Sequence, residues 1–162
     1  MKSWSAKYGE QLQLVKESLW LDVFIVGTQA ANNIASAHAF EILHVNSDRA
    51  AVPTQVNVSE GESRQERACL SAVARALQIV APESHIRVIC RLENVVEALS
   101  GRRKLRTNAD IWREISSLRE NKSIQLSAIR APNYGREDFI LQGLLQKARA
   151  ALAQALSVLQ TQ

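Results

Sequence analysis

A cluster of basic residues is the part of this sequence best suited to binding a charged partner. The segment SGRRKLRTN, at 100–108, carries the cations Arg102, Arg103, Lys104 and Arg106. Arginine presents a planar fork of N–H donors that matches phosphate oxygens, so the cluster favours contact with a nucleic-acid backbone. Such binding releases counterions and weakens as salt rises. The alternative is a solvated loop whose charges only keep it in water.

Carboxylates and histidines are too scattered to predict a catalytic or metal site. Asp22, Glu66, Glu93 and Asp138 fall on different predicted elements, and no pair of them converges convincingly. We interpret most of them as surface carboxylates or helix caps. The three histidines adjoin no serine or cysteine in a catalytic or zinc-binding pattern. The sequence therefore predicts no catalytic residue, no metal and no cofactor.

Apolar patterns indicate an alternation of strands and helices. The continuous apolar run at 21–28 is typical of a strand buried on both faces, and the Gly27–Thr28 pair is predicted to end it in a turn. Short connections then favour an antiparallel meander. The predicted strands are 21–28, 37–45, 54–59, 86–90 and 124–129. The predicted helices are 4–20, 67–77, 92–99, 108–118 and 137–159.

The last predicted helix offers a possible protein-binding surface. Apolar residues recur along it at helical spacing: Leu141, Leu145, Ala148, Leu152, Ala155 and Leu159. This stripe extends beyond what covering a five-stranded sheet requires, so it favours a protein partner or a homodimer through the C-terminal helix. The alternative is that the N-terminal helix covers the stripe within the same chain.

Composition indicates one globular domain with a mildly basic surface. The chain has 162 residues, 46% of them hydrophobic and 22% charged, and a formal net charge of +4. Cys69 and Cys90 lie in apolar patterns and are interpreted as small core residues. They would be near each other if the helix at 67–77 packs on the strand at 86–90, and a disulfide between them would require an oxidising compartment. We find no signal-peptide pattern and no apolar run of about 20 residues that would span a membrane. We therefore expect an intracellular protein, cytoplasmic or nuclear, without a membrane partner.

Four local patterns, taken together, resemble the ribonuclease H superfamily. They are DVFIVGTQA at 22–30, RACLSAVARAL at 67–77, IRVICRLENVVEAL at 86–99 and NADIWREISSL at 108–118. Their order and spacing carry the resemblance, which covers roughly 21–155. It implies a five-stranded mixed sheet, with three antiparallel strands followed by two parallel strands, flanked by helices. It also implies that 100–108 corresponds to the basic protrusion with which the family contacts nucleic acid.

The same resemblance implies that the family's metal-binding carboxylates are missing. At the four positions where the family places acids, this chain has Val26, Cys69, Arg91 and Gln142. The family hydrolyses phosphodiesters with two metals about 3.5–4 Å apart, and Mg²⁺ requires oxygen ligands. Valine and cysteine provide no hard oxygen, and Arg91 brings a positive charge that could instead bind phosphate or pair with Glu93.

These observations predict an N-terminal helical extension at 1–20 and a degenerate ribonuclease H-like domain at 21–162. The predicted role is a non-catalytic module that binds RNA, DNA or an RNA–DNA hybrid, or that acts as a protein scaffold. The alternative is an active metal-dependent nuclease whose carboxylate site has been relocated, for example to Glu66 and Glu93.

Overall fold

The computed structural model describes residues 20–45, 47–61, 64–102 and 107–160. The predicted N-terminal helix lies outside these residues except for Trp20, which is wrong as a helical residue because it pairs with His85 as the first residue of β1. The first three strands are β1 (Trp20–Gln29), β2 (Ala35–His44) and β3 (Ala50–Glu60), which pair as an antiparallel meander. They are each longer than their apolar runs, because the ladder continues through polar residues near the turns.

Two parallel strands complete the sheet. β4 (His85–Cys90) pairs with β1, and β5 (Gln125–Arg130) pairs with β4, giving the order β3-β2-β1-β4-β5. The helices are α1 (Gln65–Ile79), α2 (Glu93–Leu99), α3 (Ala109–Asn121) and α4 (Gly135–Gln160). The predicted fold class, a five-stranded mixed sheet flanked by helices, is therefore confirmed.

The sheet separates two apolar clusters. On one face, α1, α2 and α3 cover side chains such as Ile25, Phe40 and Val88. On the other face, α4 packs across β1, β2 and β3 over Phe24 and Ala39. This two-sided burial explains why β1 reads as a continuous apolar run. None of the described helices is long and apolar enough to cross a membrane.

The apolar stripe of the C-terminal helix belongs mainly to this core. Leu141, Ala148 and Leu152 are buried, and Leu145 packs partly buried in the same cluster. The stripe is thus covered by the chain's own sheet, whereas we had expected either a partner or the N-terminal helix to cover it. The side chain of Leu159 lies outside the described part. The helix therefore offers less free apolar surface than its sequence suggested.

Candidate functional site

The structure brings Val26, Cys69, Arg91 and Gln142 together around one cavity. Val26 lies near the end of β1, Cys69 in the first turns of α1, Arg91 directly after β4, and Gln142 in the second turn of α4. The cavity, of about 280 Å³, opens at the end of the sheet between α1 and α4. Four positions that are up to 116 residues apart in sequence, from 26 to 142, therefore share one site.

Gly27 allows α1 to reach this site. A Cβ atom at Gly27 would lie 2.8 Å from the backbone nitrogen of Cys69 and 2.8 Å from the carbonyl oxygen of Gln65. The side chain of Gln65 fixes the junction, because its Nε2 donates to the carbonyl of Gly27 at 3.1 Å. The prediction that Gly27–Thr28 forms a turn is wrong. The strand continues to Gln29, and the glycine serves close packing between helix and strand.

Arg91 is held by an acid from α4. Its guanidinium forms an ion pair with Asp138, and Nε2 of Gln142 donates to the other carboxylate oxygen of Asp138 at 2.9 Å. The expectation that Arg91 pairs with Glu93 is wrong. Glu93 instead faces Arg130 at 3.6 Å, with both side chains more than half exposed. The reason is geometric: α4 crosses the end of β4, whereas Glu93 begins the next helix and points to solvent.

The cysteines lie beneath the cavity as neighbouring, buried free thiols. Burial raises the pKa of Cys69, and the nearby Cys90 and Glu66 raise it further. Burial also raises the pKa of Cys90 to about 11, although a backbone hydrogen bond with Leu92 opposes this shift. Both thiols are therefore protonated near neutral pH, and neither has the thiolate character that a nucleophile or soft metal ligand needs.

The residues around the cavity do not fit a Mg²⁺ site. Mg²⁺ needs oxygen ligands in near-octahedral geometry, usually including carboxylates. Among the described residues, the carboxylate bonded to a lining residue is that of Asp138, and Arg91 and Gln142 already engage it. Across 20–45, 47–61, 64–102 and 107–160, no group of three or more His, Cys, Asp or Glu side chains could hold a metal. A cation about 4 Å from Arg91 would meet roughly 4 kcal/mol of repulsion per unit charge.

Of the predicted basic cluster, the structure describes only Arg102. Arg102 is exposed and follows α2, and its backbone nitrogen donates to the carbonyl of Glu97. Arg103, Lys104 and Arg106 lie outside the described residues. The role of the four cations in binding thus stays a prediction.

Sequence reasoning missed a second ion pair, at the opposite end of β1. Asp22 is fully buried and accepts two hydrogen bonds from Arg87 of β4, at 2.8 and 2.9 Å. The interpretation of Asp22 as a surface carboxylate or cap is wrong. A charged residue inside an apolar strand was the available signal. Its partner depends on the parallel register Asp22↔Arg87, which the sequence does not give.

An exposed aromatic stack lies beside this ion pair. The rings of Trp20 and His85 stack with centroids 4.1 Å apart, and Trp20 is 55% exposed. Both residues line a cavity of about 380 Å³ together with Asp22 and Arg87. It opens at the other end of the sheet from the cavity that contains Val26 and Arg91.

Comparison with solved structures identifies the fold. The chain is similar to the N-terminal ribonuclease H domain of a Mycobacterium tuberculosis protein, solved as a fusion with maltose-binding protein. The TM-score is 0.63 at 16% identity, covering 85% of this chain and 98% of that chain. It is also similar to LC11-RNase H1 in complex with an RNA/DNA hybrid, with a TM-score of 0.58 and 17% identity over 69% of this chain and 85% of that one.

A third similar structure is RNase H1 from the halophilic archaeon Halobacterium salinarum. Its TM-score is 0.56 at 17% identity, covering 70% of this chain and 86% of that chain. No protein-family model and no curated protein matches the sequence. The fold is therefore that of ribonuclease H, which is what the order and spacing of the four sequence patterns implied.

Proposed function

We propose that this protein is a non-catalytic ribonuclease H-like domain that binds nucleic acid. The observation that carries the proposal is the shared cavity of Val26, Cys69, Arg91 and Gln142. On the ribonuclease H fold, the resemblance assigns carboxylates to these positions, and this chain substitutes apolar, amide and cationic side chains. The site thus loses affinity for cations and gains affinity for phosphate.

The similarity of the fold to that of a hybrid-bound enzyme supports the choice of ligand. LC11-RNase H1 was solved with an RNA/DNA hybrid, and this chain shares its fold over 69% of its length. We infer that an RNA–DNA hybrid, RNA or DNA is the partner here too. The basic cluster Arg102, Arg103, Lys104 and Arg106 would supply further phosphate contacts. Such contacts position a strand without reading its sequence.

Binding is tested by titrating labelled hybrid, duplex DNA and single-stranded RNA at two salt concentrations. We expect affinity to fall steeply with salt, with a log–log slope of about −0.9 per phosphate contacted on duplex DNA. Replacing the four cations of the basic cluster by Ala should flatten that slope. Absence of wild-type binding at low salt would overturn the proposal.

A matched control separates local contacts from the loss of net charge. Four exposed basic residues lie scattered over the sheet connection and three helices: Arg49, Arg75, Arg113 and Lys147. Their combined replacement by Ala removes the same charge from other surfaces. We expect this variant to retain most of the wild-type affinity and slope. Equal losses in both fourfold variants would mean that only overall charge matters.

The competing function is an active nuclease with a relocated carboxylate site. It is tested by incubating each nucleic acid with Mg²⁺ or Mn²⁺, and we expect no cleavage above a buffer control. Cleavage that disappears in Glu66→Gln or Glu93→Gln would establish the relocated site and overturn the non-catalytic proposal. Glu66 is close enough to Cys69 to raise the pKa of its thiol, and Glu93 follows Arg91 by two residues, so these two acids are the relevant ones.

A protein-scaffold role is the second candidate, and exposed aromatic residues at the start of α4 favour it. Tyr134 is 75% exposed and Phe139 is 81% exposed, although large apolar side chains are usually covered. If this surface joins two copies, the wild type should sediment as a dimer at micromolar concentration and Phe139→Asp as a monomer. A monomeric wild type would remove the homodimer.

A further inference from the structure

The cavity at the end of β1 and β4 has an amphipathic lining that a simple phosphate site would not need. One part is apolar, formed by side chains that include Val26, Leu141 and Leu145. The other part carries three amides and two guanidiniums, from Gln65, Gln142, Gln146, Arg91 and Arg149. No carboxylate is among the described residues that line it. A matching ligand combines an apolar body, polar edges and a negative charge.

Two of the amides are oriented by contacts within the protein. Nε2 of Gln65 donates to the carbonyl of Gly27, and Nε2 of Gln142 donates to Asp138. The carbonyl oxygens of both side chains are therefore left as hydrogen-bond acceptors. Gln146 is exposed on the next turn of α4, and within the described part of the chain its side chain makes no hydrogen bond. The lining thus offers fixed acceptors and one adjustable amide.

The two arginines differ in how accessible they are to an anion. Arg91 already pairs with Asp138. Arg149 is exposed on α4 and forms no ion pair with another residue of the described ranges. Arg149 is therefore the first cation that a phosphate at the cavity mouth would meet, and Arg91 is a second, partly neutralised one. An arginine guanidinium attracts a phosphate by its charge and fixes the orientation of that phosphate through two parallel hydrogen bonds.

We propose that this cavity binds a single nucleotide unit, with the base in the apolar part and the phosphate at Arg149. Base edges carry amino donors and carbonyl or ring-nitrogen acceptors, which glutamine side chains can satisfy, while apolar side chains contact the face of the base. The volume of about 280 Å³ is close to the lower end, roughly 300 Å³, of small-molecule sites. A single nucleotide suits it better than a larger cofactor.

This inference deepens the proposed function and rests on it for the class of ligand. The nucleotide is either an unpaired unit of a bound strand or a free nucleotide. In both cases the shared chemistry is one base with one phosphate. The probes are adenosine 5′-monophosphate and uridine 5′-monophosphate, compared with ribose 5-phosphate and inorganic phosphate. Binding is followed by the backbone amide signals of Val26, Gly27 and Gln142 in NMR titrations.

We expect the nucleotides to bind at least tenfold more tightly than ribose 5-phosphate, because base contacts with a protein surface contribute substantially to affinity. Gln146→Ala should weaken nucleotide binding and leave ribose 5-phosphate unchanged. Arg149→Ala should weaken both. Both residues are exposed, so the variants should fold normally. The control Lys147→Ala removes one positive charge from a different surface of the same helix and should have no effect.

The outcomes separate this inference from the proposed function. Equal binding of ribose 5-phosphate and the nucleotides would reduce the cavity to a phosphate site and overturn the inference, while hybrid binding could stand. Absence of signal changes at the cavity with both the nucleotides and the hybrid would overturn it as well. Nucleotide binding at the cavity without any hybrid binding would support it for free nucleotides and refute the proposed function. A tetranucleotide that binds more tightly than the mononucleotides would identify a strand as the source.

Discussion

Two arginine–carboxylate pairs, at opposite ends of the β1–β4 pair, differ in how the acid is supplied. Arg87 pairs with Asp22 at one end, and Arg91 pairs with Asp138 at the other. The two arginine side chains are almost equally exposed, at 39% and 38%. The acids differ, because Asp22 is 0% exposed and Asp138 is 14% exposed. The exposed fraction of the arginine side chain alone therefore does not distinguish a structural ion pair from one at a binding site.

The source of each acid explains the difference. Asp22 lies on β1 directly opposite Arg87 in the parallel ladder, so backbone hydrogen bonds fix the pair. Val26 lies four residues after Asp22, and Arg91 lies four residues after Arg87. At that end of the pair, β1 carries valine and therefore supplies no acid to Arg91. Arg91 instead takes a carboxylate from a side chain of α4. We expect the pair that depends on one helix side chain to exchange its acid for a ligand phosphate, and the ladder pair to keep its acid.

The largest expected effect comes from breaking the ladder pair. Arg87→Met leaves the fully buried carboxylate of Asp22 without a counter-charge. Removing one partner of a buried pair costs about 3–5 kcal/mol. Urea unfolding should show a loss of that size, and the double variant Asp22→Asn/Arg87→Met should recover most of it. A loss below about 1 kcal/mol, as in exposed pairs, would abolish the distinction between the two ends.

The next effect tests how the cavity end is assembled. Gly27→Ala places a Cβ atom 2.8 Å from backbone atoms of α1, which cannot rotate away. Overpacking of this kind costs about 1–3 kcal/mol, and we expect the upper part of that range in thermal or urea unfolding. The matched control is Gly143→Ala in α4, where a Cβ atom meets nothing within 4 Å. It should be neutral or stabilising by up to about 1 kcal/mol, because alanine favours helix.

These differences show what the sequence can and cannot predict. The strands were predictable because β1 and β4 are buried on both faces and so read as apolar runs, and the resemblance supplied their order. The exposed ends of β1, Trp20 and Gln29, were missed because ladder hydrogen bonds rather than side-chain burial define them, and the apolar spacing at 4–20 assigned Trp20 to a helix. Gly27 was misread as a turn for a related reason: its role is a contact with a helix 38 residues later.

That four positions lie together was predictable, whereas their contacts were not, and their role as a degenerate active site stays a prediction. The resemblance identified Val26, Cys69, Arg91 and Gln142, and the structure brings them to one cavity. The pairing of Arg91 with Asp138 depends on how α4 crosses the sheet, which no local pattern encodes. The contribution of Gln65, Gln146 and Arg149 depends on the same packing. Pairwise contacts between distant elements are what the sequence left open.

A third buried polar group, His38, has no carboxylate partner among its described contacts, unlike Arg87 and Arg91. His38 is 7% exposed, and the amide nitrogen of Asn57 lies 3.3 Å from its Nε2 atom. Burial, with a contribution from Arg75, lowers the pKa of His38 to about 4 from 6.5. The unfolded chain therefore binds a proton between about pH 6.5 and pH 4 that the folded chain does not, so stability falls as pH decreases through this window.

We expect His38 to lower the free energy of unfolding by about 2 kcal/mol between pH 7 and pH 4.5. Urea unfolding at the two pH values measures it, with His38→Gln as the comparison. The glutamine variant keeps a partner for Asn57 and has no titrating ring, so its stability should fall less. An identical fall in both proteins would show that other groups account for the acid sensitivity.

The smallest effect tests whether the Arg91–Asp138 pair is exchangeable. Asp138→Asn removes the acid and should change the free energy of unfolding by less than about 1 kcal/mol, because both side chains retain some solvent contact. It should raise the affinity for the RNA–DNA hybrid by about tenfold, or 1.4 kcal/mol, because the guanidinium of Arg91 becomes available to phosphate.

The matched control is Glu137→Gln, which changes the net charge equally. Glu137 is its neighbour in the first turn of α4 and lies 3.6 Å from Arg136 rather than Arg91. If charge alone governs binding, both variants will gain affinity equally. If Arg91 is the receiving group, only Asp138→Asn will gain it, and the gain will vanish in Asp138→Asn/Arg91→Ala.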